Sequence, residues 1–219
     1  MTLVFAWSGG KDATLALHRL REAGVEPVEL FTTGSAETDR TSMHGVRWRL
    51  IREQANALDI PHRRVDIPDN ADNETYEKTM AALLEDYAAR DVTEIAFADL
   101  YLEDIREYRE RNLQNTPIDG RWPLWNEPTD ETAREFIDLG YQATLVCVTD
   151  HLGPDFLGRT YDHDLLADLP DDVDPCGENG EFHTFVHDGP HFDHPVQFDH
   201  GDTVTRALDD TTHHYLDLT

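Results

Sequence analysis

The sequence predicts an α/β protein, a doubly wound parallel sheet followed by a smaller C-terminal α+β lobe. Three observations carry this. The first half of the chain alternates short apolar runs with amphipathic stretches of helical period, as parallel strands joined by helical crossovers require. A Ser-Gly-Gly turn ends the first apolar run directly before a helical pattern. From Cys176 onward the pattern changes to short alternating runs rich in Gly, His and Phe, which indicates hairpins. With 219 residues, a hydrophobic fraction of 39% and Leu, Val and Phe recurring throughout, the chain is long and apolar enough to bury a core.

Taken in order, residues 3–6 are a continuous apolar run, as expected of a strand buried on both faces. Residues 13–23 place Leu15, Leu17 and Leu20 in a helical pattern. Strands follow at 27–33, 62–66 and 94–98, separated by helices at 45–58 and 73–89. Beyond them, 102–115 and 129–139 have helical patterns and 142–148 that of a strand. Between those two helices, residues 116–128 are rich in Pro, Trp and Gly and are expected to form a hinge. The division is then a first domain over 1–115 and a smaller second lobe over 116–219, with Trp122 and Trp125 as packing anchors.

The net charge of −27 comes with only two lysines, Lys11 and Lys78, against abundant Arg and Asp. Such a surface resembles that of proteins from cytoplasms holding molar salt, because at about 1 M the screening length is only ~3 Å and dense like charge is tolerated. No basic run offers the electrostatic footprint of a nucleic-acid binder. No apolar segment is long enough to cross a bilayer, and the start has no charged region preceding a signal-like apolar stretch. Cys147 and Cys176 lie far apart and form no CxxC pair, which suits a reducing, cytoplasmic compartment. Homo-oligomerisation is left open.

In folds of this class ligands bind at the carboxyl ends of the strands. The loop Ser8, Gly9, Gly10, Lys11, Asp12 lies there. Its glycines bring successive N–H groups close to an anion, the following helix adds its positive end, and Lys11 is expected to supply a mobile cation. The order of residues differs from the ordinary P-loop.

The stretch SGGKDATLAL resembles the PP-loop of the N-type ATP pyrophosphatases, of HUP/Rossmann-like fold, whose signature is SGGxDS. Ser8, Gly9, Gly10 and Asp12 match, while Ala13 stands where the family has serine, with Thr14 as a neighbouring hydroxyl. The stretches SMHGV at 42–46, FADLYLEDIREYRER at 97–111, PLW at 123–125 and CGENGEFHTFVHDGP at 176–190 are similar to motifs of the diphthine-ammonia ligase family. The resemblance implies an ATP-dependent ligase that adenylates a carboxylate and amidates it with ammonia, releasing AMP and pyrophosphate. Its first candidate acceptor is diphthine on elongation factor 2. Adenylation makes chemical sense because a carboxylate has no usable leaving group until AMP is attached.

Within that reading, Ser8, Gly9, Gly10, Lys11 and Asp12 hold the phosphates of ATP, with Mg²⁺ bridging them and Asp12 and Asp99 as its carboxylates. Adenine lies near Thr32, Thr33, Met43 and His44. Glu103, Asp104, Arg106, His183 and Thr184 are expected to bind the second substrate, and Lys11, Asp99, Glu178 and Glu181 to take part in the chemistry, either glutamate accepting a proton from ammonium. Arg109, one turn from Arg106, is a further candidate for an anionic substrate. Glu103 and Asp104 also suit a helix start, where acids are favoured. His183, His187, His191 and His194 have spacings that a zinc site would use, but the Gly189-Pro190 turn separates them and favours turn and surface roles. Two other readings stay open. One is a PP-loop enzyme acting on another acceptor, as in bacterial homologues; the other is a nucleotide-binding sensor without chemistry.

Overall fold

The computed structural model describes residues 1–68, 71–208 and 211–219. The described elements are β1 (Leu3–Ala6), α1 (Lys11–Glu22), β2 (Glu29–Ser35), β3 (Arg40–Thr41), α2 (Trp48–Ala57), β4 (His62–Ile67), α3 (Asn73–Ala89), β5 (Glu94–Ala96), α4 (Glu103–Leu113), β6 (Asp119–Arg121), α5 (Thr129–Asp138), β7 (Gln142–Thr149), α6 (His163–Asp168), β8 (Phe182–Asp188), β9 (His200–Leu208) and β10 (Thr211–Leu218). The alternation expected for the first half is present, and α1 starts at Lys11 rather than at residue 13. Lys11 and Asp12 therefore occupy the first helical turn.

Strands β4, β2, β1, β5 and β6 lie side by side and all pair in parallel. β4 fills one edge of β2 from Leu30 to Ser35. On the other edge β1 reaches only Phe31, so the antiparallel β3 takes Gly34 and Ser35 beyond it. Side chains alternate across the sheet. Leu3, Phe5 and Trp7 face α1, α2 and the second sheet, whereas Val4 packs with Phe31, Val65 and Ile95 against Leu83, Leu84 and Tyr87 of α3. Helices thus cover both faces. Asp72 starts α3 by accepting a hydrogen bond from the Thr75 amide.

The second sheet is antiparallel, in the order β8-β7-β10-β9. It shares one core with the first. Phe5, Leu17 and Leu50 belong to the same cluster as Phe136, Leu145, Phe182 and Phe185.

The 116–128 segment departs from its expected role. β6 lies inside it and pairs with β5, so the first sheet continues past residue 115. Its glycine makes room for a tryptophan: a Cβ on Gly120 would stand 2.2 Å from the Trp122 ring, which stacks on Phe97 at 5.4 Å. Here the Pro, Trp and Gly content marks close packing rather than freedom of movement.

Candidate active site

The glycine loop is fixed by contacts from both lobes. Gly9 has φ +81°, and a Cβ there would lie 2.6 Å from Gln54 Oε1 and 2.7 Å from Ile51 Cδ1. Its carbonyl accepts hydrogen bonds from the Val186 amide at 3.0 Å and from Gln54 Nε2 at 2.9 Å. Gln54 is fully buried; it also donates to the Val186 carbonyl at 2.5 Å and accepts from Trp7 Nε1 at 3.1 Å. The Gly10 amide donates to Ser8 Oγ at 3.2 Å and the Lys11 amide to Thr184 Oγ1 at 3.0 Å. The Gly10 carbonyl receives both the amide and the hydroxyl of Thr14.

Once these bonds are made, the amides of Ser8, Gly9 and Ala13 have no acceptor among the described residues. Gly9 and Ala13 are buried and Ser8 is half-buried. The residue preceding α1, Gly10, supplies no side-chain cap, and the Thr184 hydroxyl takes only the Lys11 amide. Unpartnered amides at the positive end of a helix, on the carboxyl edge of a parallel sheet, have the chemistry of an anion site. The residues present therefore fit a phosphate group. Two side chains are ruled out as helpers: Ala13 is packed into the core, and the Thr14 hydroxyl is turned back onto Gly10.

Lys11 corrects an expectation. It is not a mobile cation, since only 3% of it is exposed and its ammonium is held by both Asp12 oxygens, at 2.9 and 2.8 Å, and by the Cys176 carbonyl. The rings of Tyr161 and Phe182 lie 5.5 and 5.3 Å from Nζ. Burial is the largest influence and works against the charge, but Asp12, Cys176 and Glu178 together outweigh it and raise the lysine pKa above its ordinary value. Lys11 therefore locks α1 to the turn preceding β8.

Asp99 and the residues of α4 also differ from their expected roles. Both Asp99 oxygens accept from Arg109, at 2.7 and 2.8 Å, and Oδ2 also accepts from Trp122 Nε1 at 3.0 Å. Arg109 lies over Phe97, and Arg106 sits 4.6 Å from each of the rings of Trp122 and Trp125 while donating to Glu110 at 2.8 Å. Both arginines thus serve packing. Glu103 and Asp104 are exposed in the first turn of α4, which has no side-chain cap, so they complement its dipole instead of lining a site.

Near the loop, Thr32 is buried, donates to the Trp7 carbonyl at 2.6 Å and bonds His62 at 3.0 Å. Thr33 is half-buried and Met43 is 60% exposed. His44 donates from Nδ1 to the Thr184 carbonyl at 2.9 Å, stacks on His183 at 4.6 Å and stands where a Gly10 Cβ would be. Burial holds His44 down to about 4, and burial followed by the neighbouring His44 holds His183 well below its ordinary value. Both rings are neutral at pH 7.

Asp174 organises the turn before β8 by accepting from the amides of Cys176 and Glu178. Glu178 Oε1 accepts from the Leu100 amide at 2.8 Å; burial pushes its carboxyl up to about 7 against that bond, and the Asp12 charge adds to the rise. Glu181 is 8% exposed; its Oε1 accepts from the Asp174 amide and from Asn179, while Oε2 has no partner among the described residues. Burial pushes the Cys147 thiol up to about 12 and raises Cys176 as well, so neither is a ready nucleophile. His191 packs against His18 and Tyr141, and His187 against Phe198. Among the described residues no group of three His, Cys, Asp or Glu side chains is placed to hold a metal ion.

The structure thus gathers the loop, His44, Thr184, His183 and Glu178, with Met43 exposed next to His44, and leaves Glu103, Asp104 and Arg106 apart. Gln54 and Asp174 are further parts of the site that sequence reasoning missed. Gln54 carried a signal: it is a polar residue on the helical face that buries Leu50, Ile51 and Ala57. A cavity of about 520 Å³ opens on the far side of the 42–46 loop, between the ends of β2 and β4 and the β9–β10 hairpin, lined by Ser35, Ser42, Tyr76, Val204, Arg206 and Tyr215 among others.

Residues 1–116 match the diphthamide synthase N-terminal domain, and residues 128–212 match the diphthamide synthase C-terminal domain. The chain belongs to the diphthamide synthase family. Among the relatives of this family member is the diphthine–ammonia ligase of Homo sapiens, 27% identical over 225 residues, which cover 92% of this chain and 84% of the human protein. A solved structure, that of a predicted subunit of tRNA methyltransferase from Methanocaldococcus jannaschii, aligns with a TM-score of 0.41 and 16% identity over 68% of this chain and 80% of the other. Among the described residues no helix is long and apolar enough to cross a membrane.

Proposed function

We propose that this chain is an ATP-dependent ligase that activates a carboxylate with ATP and amidates it with ammonia, releasing AMP and pyrophosphate, with diphthine on elongation factor 2 as first candidate acceptor. The observation that carries the proposal is the set of unpartnered amides at Ser8, Gly9 and Ala13, at the start of α1 and on the carboxyl edge of the parallel sheet. The diphthine–ammonia ligase among the relatives supports the reaction and the acceptor.

In this reading the three amides hold the departing pyrophosphate, and their fixed direction stabilises negative charge without reorganisation. Gln54 and Val186 keep the Gly9 carbonyl turned away from that anion. Thr184 and His183 from the second lobe and His44 from the first, both rings neutral, brace the loop. Adenine is assigned to the end of β2, beside Thr33 and Met43. Glu178, with a pKa of about 7, is matched to taking a proton from ammonium at neutral pH, so that ammonia attacks as the free amine. Glu181 Oε2 offers a second acceptor. Mg²⁺ does not fit on Asp12 and Asp99, because Lys11 holds the first carboxylate while Arg109 and Trp122 hold the second. No step is routed through a protein-bound metal.

The absence of a free hydroxyl at Ala13 and Thr14 is the one feature that favours a sensor, which would bind ATP without splitting it. The test is to incubate the protein with ATP, ammonium and diphthine-bearing elongation factor 2, following AMP, pyrophosphate and the mass of the factor. The ligase reading expects AMP and pyrophosphate in equal amounts and conversion of the carboxylate to the carboxamide. ATP bound but intact with every acceptor would establish the sensor. Turnover with another carboxylate alone would keep the ligase and replace diphthine.

A further inference from the structure

β9 is the edge strand of the second sheet, and residues 201–207 along it are all exposed. A strand of 9 residues with an open row of backbone donors and acceptors invites pairing with another strand. Natural edges are blunted with Lys, Pro or bulges; β9 has no Lys or Pro along its length, and its one irregular pairing with β10 falls at Gly201 and Asp202, between His200 and Thr203, while Thr203 to Leu208 pair in regular register. Its sequence, HGDTVTRAL, points to a particular partner.

We propose that β9 pairs with β9 of a second copy of this chain, antiparallel about a twofold axis at Val204, joining two four-stranded sheets into one. Residues directly opposite in an antiparallel pair share a face, and a twofold axis normal to the sheet preserves faces, so a symmetric pairing must centre on a residue. Centring on Val204 sets Asp202 of each copy opposite Arg206 of the other, Thr203 opposite Thr205, and Val204 against its own mate. An opposite-charge pair, a Thr–Thr pair and an apolar pair are the combinations that favour such a ladder. Moving the axis to Thr203 sets Val204 against Asp202, and moving it to Thr205 sets Val204 against Arg206. The strand is thus self-complementary in one register only.

Val204 is 46% exposed despite lining the cavity beside β10, and Arg206 lies 5.9 Å from the Tyr215 ring with no carboxylate partner among the described residues. The second copy covers the first residue and supplies a carboxylate to the second. Two chains of net charge −27 repel each other at low ionic strength, so the dimer belongs to salt concentrations near 1 M, where the screening length is ~3 Å.

The test is light-scattering mass across a salt series for the full chain. The expected result is twice 25.0 kDa at molar salt for the wild type and 25.0 kDa for Val204→Pro, which removes a backbone donor. Asp202→Arg and Arg206→Asp each place like charges opposite one another and are expected to give monomers, whereas the double swap, Asp202→Arg with Arg206→Asp, restores the dimer. Circular dichroism of each variant checks that the fold is intact. A wild type that stays monomeric at every salt concentration overturns the proposal. So does a dimer indifferent to these substitutions, or a double swap that fails to restore association.

Discussion

Replacing Lys11 with methionine separates two roles that its place in the SGGKD loop allows. In the structure the ammonium is 4% exposed at the side chain and joined to Asp12, to the Cys176 carbonyl and to two aromatic rings. Removing one member of a buried ion pair typically costs about 3–5 kcal/mol, because the remaining charge is left uncompensated. Asp12 keeps 27% of its side chain exposed, and water reaching it reduces the loss to about 2–3 kcal/mol. For a chain of 219 residues that corresponds to a melting temperature lower by about 5–10 °C. Adding Asp12→Asn removes the stranded carboxylate and is expected to recover about half of the loss. ATP affinity, measured by calorimetry well below the melting point, is expected to change by less than about threefold. A lysine that donated directly to a phosphate would contribute about 1.5–3 kcal/mol, or 10- to 150-fold in Kd. A variant of unchanged melting temperature and such a loss of affinity would refute the buried lock and return Lys11 to the phosphates.

Three further outcomes are expected. Gly9→Ala forces φ +81° on a side chain and drives its Cβ into Gln54 and Ile51, so it should destabilise the fold by about 1–3 kcal/mol and weaken ATP binding; a calorimetric titration matching wild type would show that the loop is not held as described. His44 has its pKa held at about 4 by burial while the unfolded chain titrates near 6.5, so between those values the unfolded state binds the extra proton and stability is lost as pH falls, by about 1.4 kcal/mol per unit. Stability at about pH 7.5 and 5.5, from urea unfolding, should therefore differ by about 1.4 kcal/mol less in His44→Gln, the remaining difference belonging to His62 and His183, which burial also holds down, and an unchanged difference would show that His44 does not contribute. Glu178, raised to about 7, should make the ammonia-dependent rate climb through neutral pH, and Glu178→Gln should abolish that inflection with a loss of about 10²-fold or more. An inflection surviving in the variant places the base elsewhere.

The sequence alone determined the features that depend on neighbours along the chain. The alternation of apolar runs and helical periods was legible because strand and helix impose periods of about 2 and 3.6 on side chains that must face a core. The turn at Ser8, Gly9 and Gly10 was legible because two adjacent glycines directly before a helical pattern are a local backbone signal, although Gln54, Val186 and Thr184, which hold it, were not. Tertiary structure alone decided what most charged side chains do. Lys11 is joined to Cys176, 165 residues away, and its amide to Thr184, 173 residues away. Gln54 acts on Gly9 and Val186 at separations of 45 and 132 residues. Asp99 and Arg109 are only 10 residues apart, yet their bond depends on Trp122 and Phe97 holding the guanidinium in place. A charge is committed by whichever partner the fold brings within about 3 Å, and in a chain rich in Arg, Asp and Glu the local pattern leaves many choices equal until packing selects among them.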